Sequence, residues 1–476
     1  MSDYNDENSE HYDGDYNGKP IEYEDGLHDL FKQKADLTEA DKKLLAENQL
    51  PTDLANAKAK LDEIAEIPLN LAKRGAGLWN LWVKLNKWRW LVVNDIGVNA
   101  EVRFIKVEDN RDNQFIKFFD GLDRDNQDIY EIDYQDFSNF VFPFVNFSCA
   151  KFRGNVNFRY AFFQGDANFT HVIFLGNVYF EGVGFGSEAK ISDVVFEGNV
   201  SFVRACFAKI SFHMSCFKGL TDFSYALFGD DANLGDAIFY MDAIFVEAQF
   251  DQAANFERVI FLNNALFNMI VSKSYLSFTK SIFFHCMRLS DVSVLKGFTF
   301  KGANFLDGLE LTNSKVEEYI DLNKAFFGKK DNFKLCGYQQ HDEDIQKKYN
   351  QIPSIGYNSL HVPDFKGTEF KLAPNLSYTN IPLPPQPMIP REKGDGEVQS
   401  GWRHLVRFLG IDQRYIRIKD ANAASKFRRL QELAAQGHNH HAEAKFFRAE
   451  LLTKRGHETS GWREVFLINL FEKICE

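Results

Sequence analysis

Cysteine, basic clusters, long apolar runs and catalytic strings are all scarce in this chain of 476 residues, and each scarcity removes a class of protein. The six cysteines are Cys149, Cys206, Cys216, Cys286, Cys336 and Cys475. None forms a CxxC pair, so no zinc ribbon or dithiol redox motif is indicated. Thiols scattered through a chain of this length read as reduced and cytosolic. No apolar run reaches the roughly 20 residues of a membrane-spanning helix. The opening stretch, MSDYNDENSEHYDGDY, is acidic and polar, the opposite of a secretory signal. The expected location is cytoplasmic, or peripheral at the inner membrane. No dense basic patch is present, which argues against DNA binding. No GxGxxG, P-loop, HExxH or GxSxG string occurs. No catalytic residue, cofactor site or metal site is therefore expected, and the chain reads as a non-enzyme. The segment GHNHHAEAKF brings His438, His440, His441 and Glu443 together, but no companion ligand cluster exists elsewhere. It reads as a polar turn between two helices.

What the chain has in excess is phenylalanine: 48 Phe against 17 Tyr and 6 Trp. An irregular core mixes Leu, Ile, Val and Phe. A chain that keeps choosing one shape is filling one hole many times, which is a repeat signal. From Phe137 the ladder steps by five through Phe142, Phe147 and Phe152. It then alternates six and five through Phe158, Phe163, Phe169, Phe174, Phe180, Phe185, Ile191, Phe196, Phe202 and Phe207. A five replaces one six at Phe207–Phe212–Phe217. The alternation then continues through Phe228, Phe239, Phe250, Phe261 and on to Phe327. Of these 36 positions, 28 are Phe and only Ser272 is not apolar, so the run is too regular for chance.

A second column confirms the first. Two residues before a ladder position there is usually a small or β-branched residue, such as Ala150, Val156, Ala161, Val172, Ala237 or Ala254. Helices repeat every 3.6 residues and strands every two. Two apolar positions per five or six residues fit neither. They fit short extended sides joined by tight corners, with two side chains of each side pointing inward.

This pattern resembles the pentapeptide-repeat family, and its five/six spacing, as in ANFTHVIFLGNVYFEGVGF, resembles the Phe-rich bacterial branch. The resemblance covers the whole ladder, from Phe137 to Phe327. It implies a mainly β fold, a right-handed quadrilateral β-helix with one repeat per side and four sides per coil. Nine coils at about 4.8 Å each would make a rod on the order of 40 Å long. The extra residue of alternate sides is often glycine (Gly154, Gly165, Gly176, Gly198). It is expected to bulge those corners at positive φ. The structural ladder is represented by Phe152, Phe163, Phe174, Phe196, Phe207, Phe217, Phe228, Phe239, Phe250 and Phe261.

The flanks differ from the rod. Residues 1–35 read as a disordered acidic tail. Residues 36–133 read as a helical or mixed N-terminal cap, with Thr38 and Thr52 as helix N-caps and VRFIKVED as a strand. The β-helix is expected over 134–330. An irregular insertion follows at 331–360, a last coil carrying Phe365, Phe370, Leu376 and Ile381 at 361–385, and a Pro-rich linker at 386–400. Residues 401–476 read as a helical hairpin, opened by Asp420 as N-cap, plus a short apolar C-terminal helix. The hairpin resembles the region after the rod in bacterial pentapeptide proteins that carry a C-terminal membrane part. Here the apolar segment stops short of a span.

Two sets of residues are candidates for contact with a membrane or partner. Trp79, Trp82, Trp88 and Trp90 lie among Lys84, Lys87 and Arg89, and Trp462, Phe466 and Phe471 lie in the C-terminal segment. The first set also reads as a cap over the open end of the rod, since uncapped solenoid ends invite end-to-end association. The net charge of −12 is uneven: the first 30 residues carry ten acids and one Lys, whereas 401–476 carry fourteen Lys/Arg against nine acids. Eight acids and no Lys or Arg lie between Asp222 and Glu257, at spacings that form a belt around the rod. The expected function is a non-catalytic scaffold for an unknown protein partner. The alternatives are a peripheral membrane module, or a truncated membrane-anchored relative, and a DNA-mimic inhibitor of a topoisomerase. End-to-end or homodimeric association fits the same features.

Overall fold

The computed structural model describes residues 37–66, 68–85, 116–117, 130–132, 135–143, 145–328, 345–347, 350, 362–381, 420 and 422–454. The acidic tail, VRFIKVED and the Pro-rich linker lie outside them. The described rod is a four-sided parallel β-helix with helices at both flanks. Nearly every strand is two to four residues long and pairs in parallel with the strand one coil on.

One turn of the coil carries Ile238 onto Ile260 and Phe239 onto Phe261. The turn is shorter by a single position where the ladder slips, at Phe196↔Phe217 and Val200↔Thr221. Two five/six pairs complete a turn, so every fourth ladder residue falls directly above its predecessor. This register turns the ladder into four columns. Phe152, Phe174, Phe196, Phe217, Phe239 and Phe261 share one, and Phe163, Phe207, Phe228 and Phe250 share another. All are buried to within 1% of full. Within a column the rings stack parallel and offset, with centroids 4.7 Å apart for Phe217–Phe239 and 5.2 Å for Phe239–Phe261. Between columns they meet edge-on, as Phe212 and Phe217 do at 5.9 Å and 61°. Both arrangements avoid the repulsive eclipsed sandwich and add about 0.5–1.5 kcal/mol per pair beyond area burial.

The one polar rung, Ser272, is buried, with its hydroxyl donating to Ser274 O (3.0 Å). Hydroxyls in the small column bond to carbonyls of the preceding coil. Ser215 donates to Ile191 O (2.6 Å) and Thr368 to Leu311 O (2.6 Å). Each of these buried hydroxyls thus has an acceptor, which avoids the desolvation cost of an orphan.

The corners correct the glycine expectation. Positive φ falls mostly at the five-residue corners, on the third residue of a turn closed by an i+3 bond, and in the six-residue steps of the ladder only at Gly297 and Gly308 among the described residues. Tyr225 is one case: φ is 60° and Ala226 N donates to Phe223 O at 3.0 Å. Most of these positions are not glycine; His171, Asp193, Arg204, Met214, Asp236 and Arg258 are examples. Left-handed φ costs an L-residue about 1–2 kcal/mol. Coil-to-coil bonds at the same residues, such as Tyr225 N to Val246 O (2.9 Å), hold them there. Gly154, Gly165, Gly176 and Gly198 are not among the positive-φ residues. A Cβ on Gly176 would lie 2.5 Å from the backbone of Gly154, and one on Gly198 would lie 2.6 Å from that of Gly176. At these stacked positions glycine answers close approach between coils, not turn geometry.

Among the described residues four short helices precede the rod: α1 (Glu39–Glu47), α2 (Leu54–Ala65), α3 (Pro68–Ala72) and α4 (Ala76–Leu85). Thr38 and Asp41 form a capping box on α1. Asp53, not Thr52, caps α2. Beyond Gly328 the coil resumes at Val362. Lys315 pairs with Glu369 and Val316 with Phe370, so the stretch between Gly328 and Val362 is an insertion within one coil, after which the register returns. Phe365, Leu376 and Ile381 are buried in the resumed coil. The hairpin of α5 (Ala423–Gln436) and α6 (His440–Lys454) packs on it, burying Phe427, Leu430, Leu433 and Phe446 in the common core. Asn422, not Asp420, is at the N-cap of α5. Asp420 instead accepts from Asn422 N (2.9 Å) and Lys426 Nζ (3.0 Å).

Phe239→Ala should lower the unfolding free energy by about 3–5 kcal/mol in urea denaturation. Gly198→Ala, which adds a single carbon, should also destabilise, because the coils there have no room. A neutral Gly198→Ala would contradict the packing described.

Candidate interaction surface

The inside of the rod offers nothing to react. Among the described residues no titratable side chain points into the stack; the buried Asp236 sits at a corner on Arg258 (2.7 Å). Burial pushes the Cys206 thiol up to about 11 and the Cys286 thiol up to about 12, so neither is a thiolate at neutral pH. His440 Nδ1 lies 3.2 Å from Glu443 Oε2 at the start of α6. No group of three metal ligands forms among the described residues. Chemistry, if any, must be carried by surfaces.

The first surface is the N-terminal cap. Trp79 is fully buried against Phe140 and Phe142, with centroids 5.5 and 5.6 Å away, and its Nε1 donates to Val141 O (2.8 Å). Asn80 donates to Asn139 O (3.0 Å) and accepts from Val141 N (2.9 Å). Two side chains of α4 thereby satisfy edge groups of an early coil. Trp79 is therefore a cap residue, which corrects its place among the membrane or partner contacts. Its indole is enclosed and its one donor is used. Trp82 donates to Asp62 Oδ1 (2.9 Å) within the cap. Trp88, Trp90, Trp462, Phe466 and Phe471 lie outside the described residues. No described helix is long and apolar enough to cross a membrane.

The second surface is an outer stripe on the ten-stranded sheet. There the residues flanking each ladder Phe point outward, because side chains alternate along a strand. Early coils mix charged and apolar residues at these positions: Lys151 and Arg153, Ile173 and Leu175, Val195 and Glu197, Cys216 and Lys218. Later coils place Ile238 and Tyr240, Ile260 and Leu262, Ile282 and Phe284, then Leu306. These form an apolar cluster separate from the main core, and Ile345 of the insertion is fully buried in it. The rod is thus apolar on both faces of one wall, and a piece of its own chain lies on the outer one. The signal is the succession of the triplets IFY, IFL and IFF in consecutive coils, since a single IFL also occurs at Ile173–Leu175, outside the cluster. Reading only the inward ladder passes over it.

The third surface is the acidic belt. Many of its carboxylates serve the coil above. Asp231 Oδ1 accepts from Ala253 N (3.1 Å) and Asp242 Oδ1 from Asn264 N (3.1 Å). Asp236 is held by Arg258, and Asp251 lies 3.0 Å from Lys273 Nζ. Asn155, Asn177 and Asn199 do the same in the early coils, each accepting from a backbone N–H one coil on (2.8–2.9 Å).

With the coil geometry established, the family comparison has a clear meaning. A family model described as Pentapeptide repeats (9 copies) matches residues 137–184 and 147–195, the first part of the ladder. The chain carries pentapeptide repeats. No curated protein and no solved structure matches it. The repeats account for the wall of the rod.

Ile345→Asp should uncover the outer stripe and raise binding of a hydrophobic dye while leaving the far-UV spectrum of the rod unchanged. Equal dye binding would mean the stripe is not covered through Ile345. A second prediction concerns acid. Asp41 lies in a buried pair with Lys84 (2.8 Å). Burial pushes its carboxyl up, but the hydrogen bonds from Lys84 and Thr38 and the Lys84 charge outweigh it and hold the group below its usual 3.8. Its contribution is present in full above that value and is lost as pH falls through the lower folded value. Lys84→Met should remove this part of the acid limb in pH-dependent unfolding.

Proposed function

We propose that this repeat protein is a non-catalytic scaffold that binds a partner protein through its outer faces. The observation that carries the reading is the division of the wall. The inward rows are filled by stacked rings with no titratable group among them, whereas the outward row of the ten-stranded sheet, mixed in the early coils, is apolar on both sides of the ladder over the three coils from Ile238 to Phe284. A row that only needed solubility would not lose its charged residues over three successive coils. Rigidity supports the same reading, since each coil is fixed to the next by backbone bonds on every side and presents its outer rows without rearrangement.

Photo-crosslinking of the full chain in its native cell tests this. The expected outcome is covalent adducts with one or a few proteins, formed from outward positions only. A chemical turnover that copurifies with the chain and is lost on mutating one polar cluster would overturn the scaffold reading.

A further inference from the structure

One outer face is apolar, accessible and edged with acid. On the eight-stranded sheet the outward residues stack coil on coil in the order Tyr179, Ser201, Asp222, Ile244, Leu266, Arg288. Ile244 and Leu266 are register partners on neighbouring strands, so their side chains sit side by side at about 4.8 Å spacing. Met241 and Met269 flank them and are 49% and 45% exposed. Met241 directly follows Tyr240, which packs against the stripe that Ile345 covers. The open patch therefore continues a surface that already holds a chain segment.

Its edge is acidic beside Ile244 and basic only at Arg288, beside Leu266. Asp222 lies beside Ile244 in register, Asp242 follows Met241, and Glu247 stands at the left-handed corner of the same coil. From Asp222 to Glu257 there is no Lys or Arg. Arg288, on the next strand, is paired with Glu310 (3.4 Å). An apolar centre with an acidic rim repels anionic lipid and acidic partners and attracts cationic ones. Unbranched, polarizable Met side chains adapt to whatever apolar residues arrive.

We infer that the face made by Met241, Ile244, Leu266 and Met269 seats a basic amphipathic segment of a partner protein. This rests on the scaffold reading and names the chemistry of its partner. The apolar side of the segment covers Ile244 and Leu266, and its Lys or Arg residues lie against Asp222, Asp242 and Glu247.

The test uses the full chain and a fluorescent amphipathic helix of Leu and Lys about five turns long, with a Leu/Glu helix as its counterpart. The Leu/Lys probe should bind, and Ile244→Ser with Leu266→Ser should weaken it about tenfold or more. Val271→Ser with Leu295→Ser, a pair on another face, should leave it unchanged, which separates the patch from general attraction to an acidic chain. Methyl NMR covers the case of a variant that fails to fold. In the unmodified protein the Met241 and Met269 methyl signals should shift on adding the probe, while Met214, on a corner across the rod, should not. Equal binding of the Leu/Glu helix, equal loss in both serine pairs, or unmoved Met241 and Met269 signals would overturn the assignment. Crosslinked partners that persist in the Ile244→Ser/Leu266→Ser chain would sink this face alone. Absence of any crosslinked partner of the unmodified chain would sink the scaffold reading with it.

Discussion

Everything in this molecule depends on the vertical register of one coil upon the next. A side of the coil is too short to bury its Phe or to satisfy its backbone alone. Once Phe217 lies under Phe239 and Phe239 under Phe261, the same one-coil displacement aligns the ring stacks and the backbone bonds together. It also aligns the glycines, the Asn and Asp side chains that reach the coil above, and the left-handed corners. The slip near Phe207–Phe217 is tolerated because it shortens a coil without moving any residue to another column.

That dependence explains the chemistry of the corners. Left-handed φ on Arg204, Asp236 or Arg258 would be costly in an isolated turn. Here each such residue donates its N–H to the coil above, and Asp236 and Arg258 also bind each other across one coil. The corners can therefore carry side chains of any character, which makes them available as surface. It also makes the wall uniform enough that differences between faces have to come from the outward residues.

The rod is easier to read from the sequence than its surfaces are. The inward ladder is legible because a Phe every five or six residues has no other physical explanation, and the column of small residues two positions earlier confirms it. The glycines mislead, because a corner glycine suggests positive φ, whereas Gly176 and Gly198 answer a contact with a residue one coil away. Trp79 is ambiguous for a related reason. A Trp among Lys and Arg fits a membrane edge as well as a cap, and only its bond to the distant Val141 O decides. The outer stripe is written plainly in IFY, IFL and IFF, but its significance comes from Ile345, which lies far along the chain. Short-range pattern thus identifies the wall, and long-range contacts identify what the wall supports.

The central claim is that inward positions hold the rod and that specific outward rows carry its role. A saturation scan of every position, scored by abundance of the protein in its native cell, tests it most directly. The account predicts intolerance at the ladder and at the small column, repeating by fives and sixes from Phe137 to Ile381. It also predicts intolerance at Gly176 and Gly198 and tolerance at most outward positions. Intolerance without that period, or concentrated on one cluster of polar side chains, would contradict it.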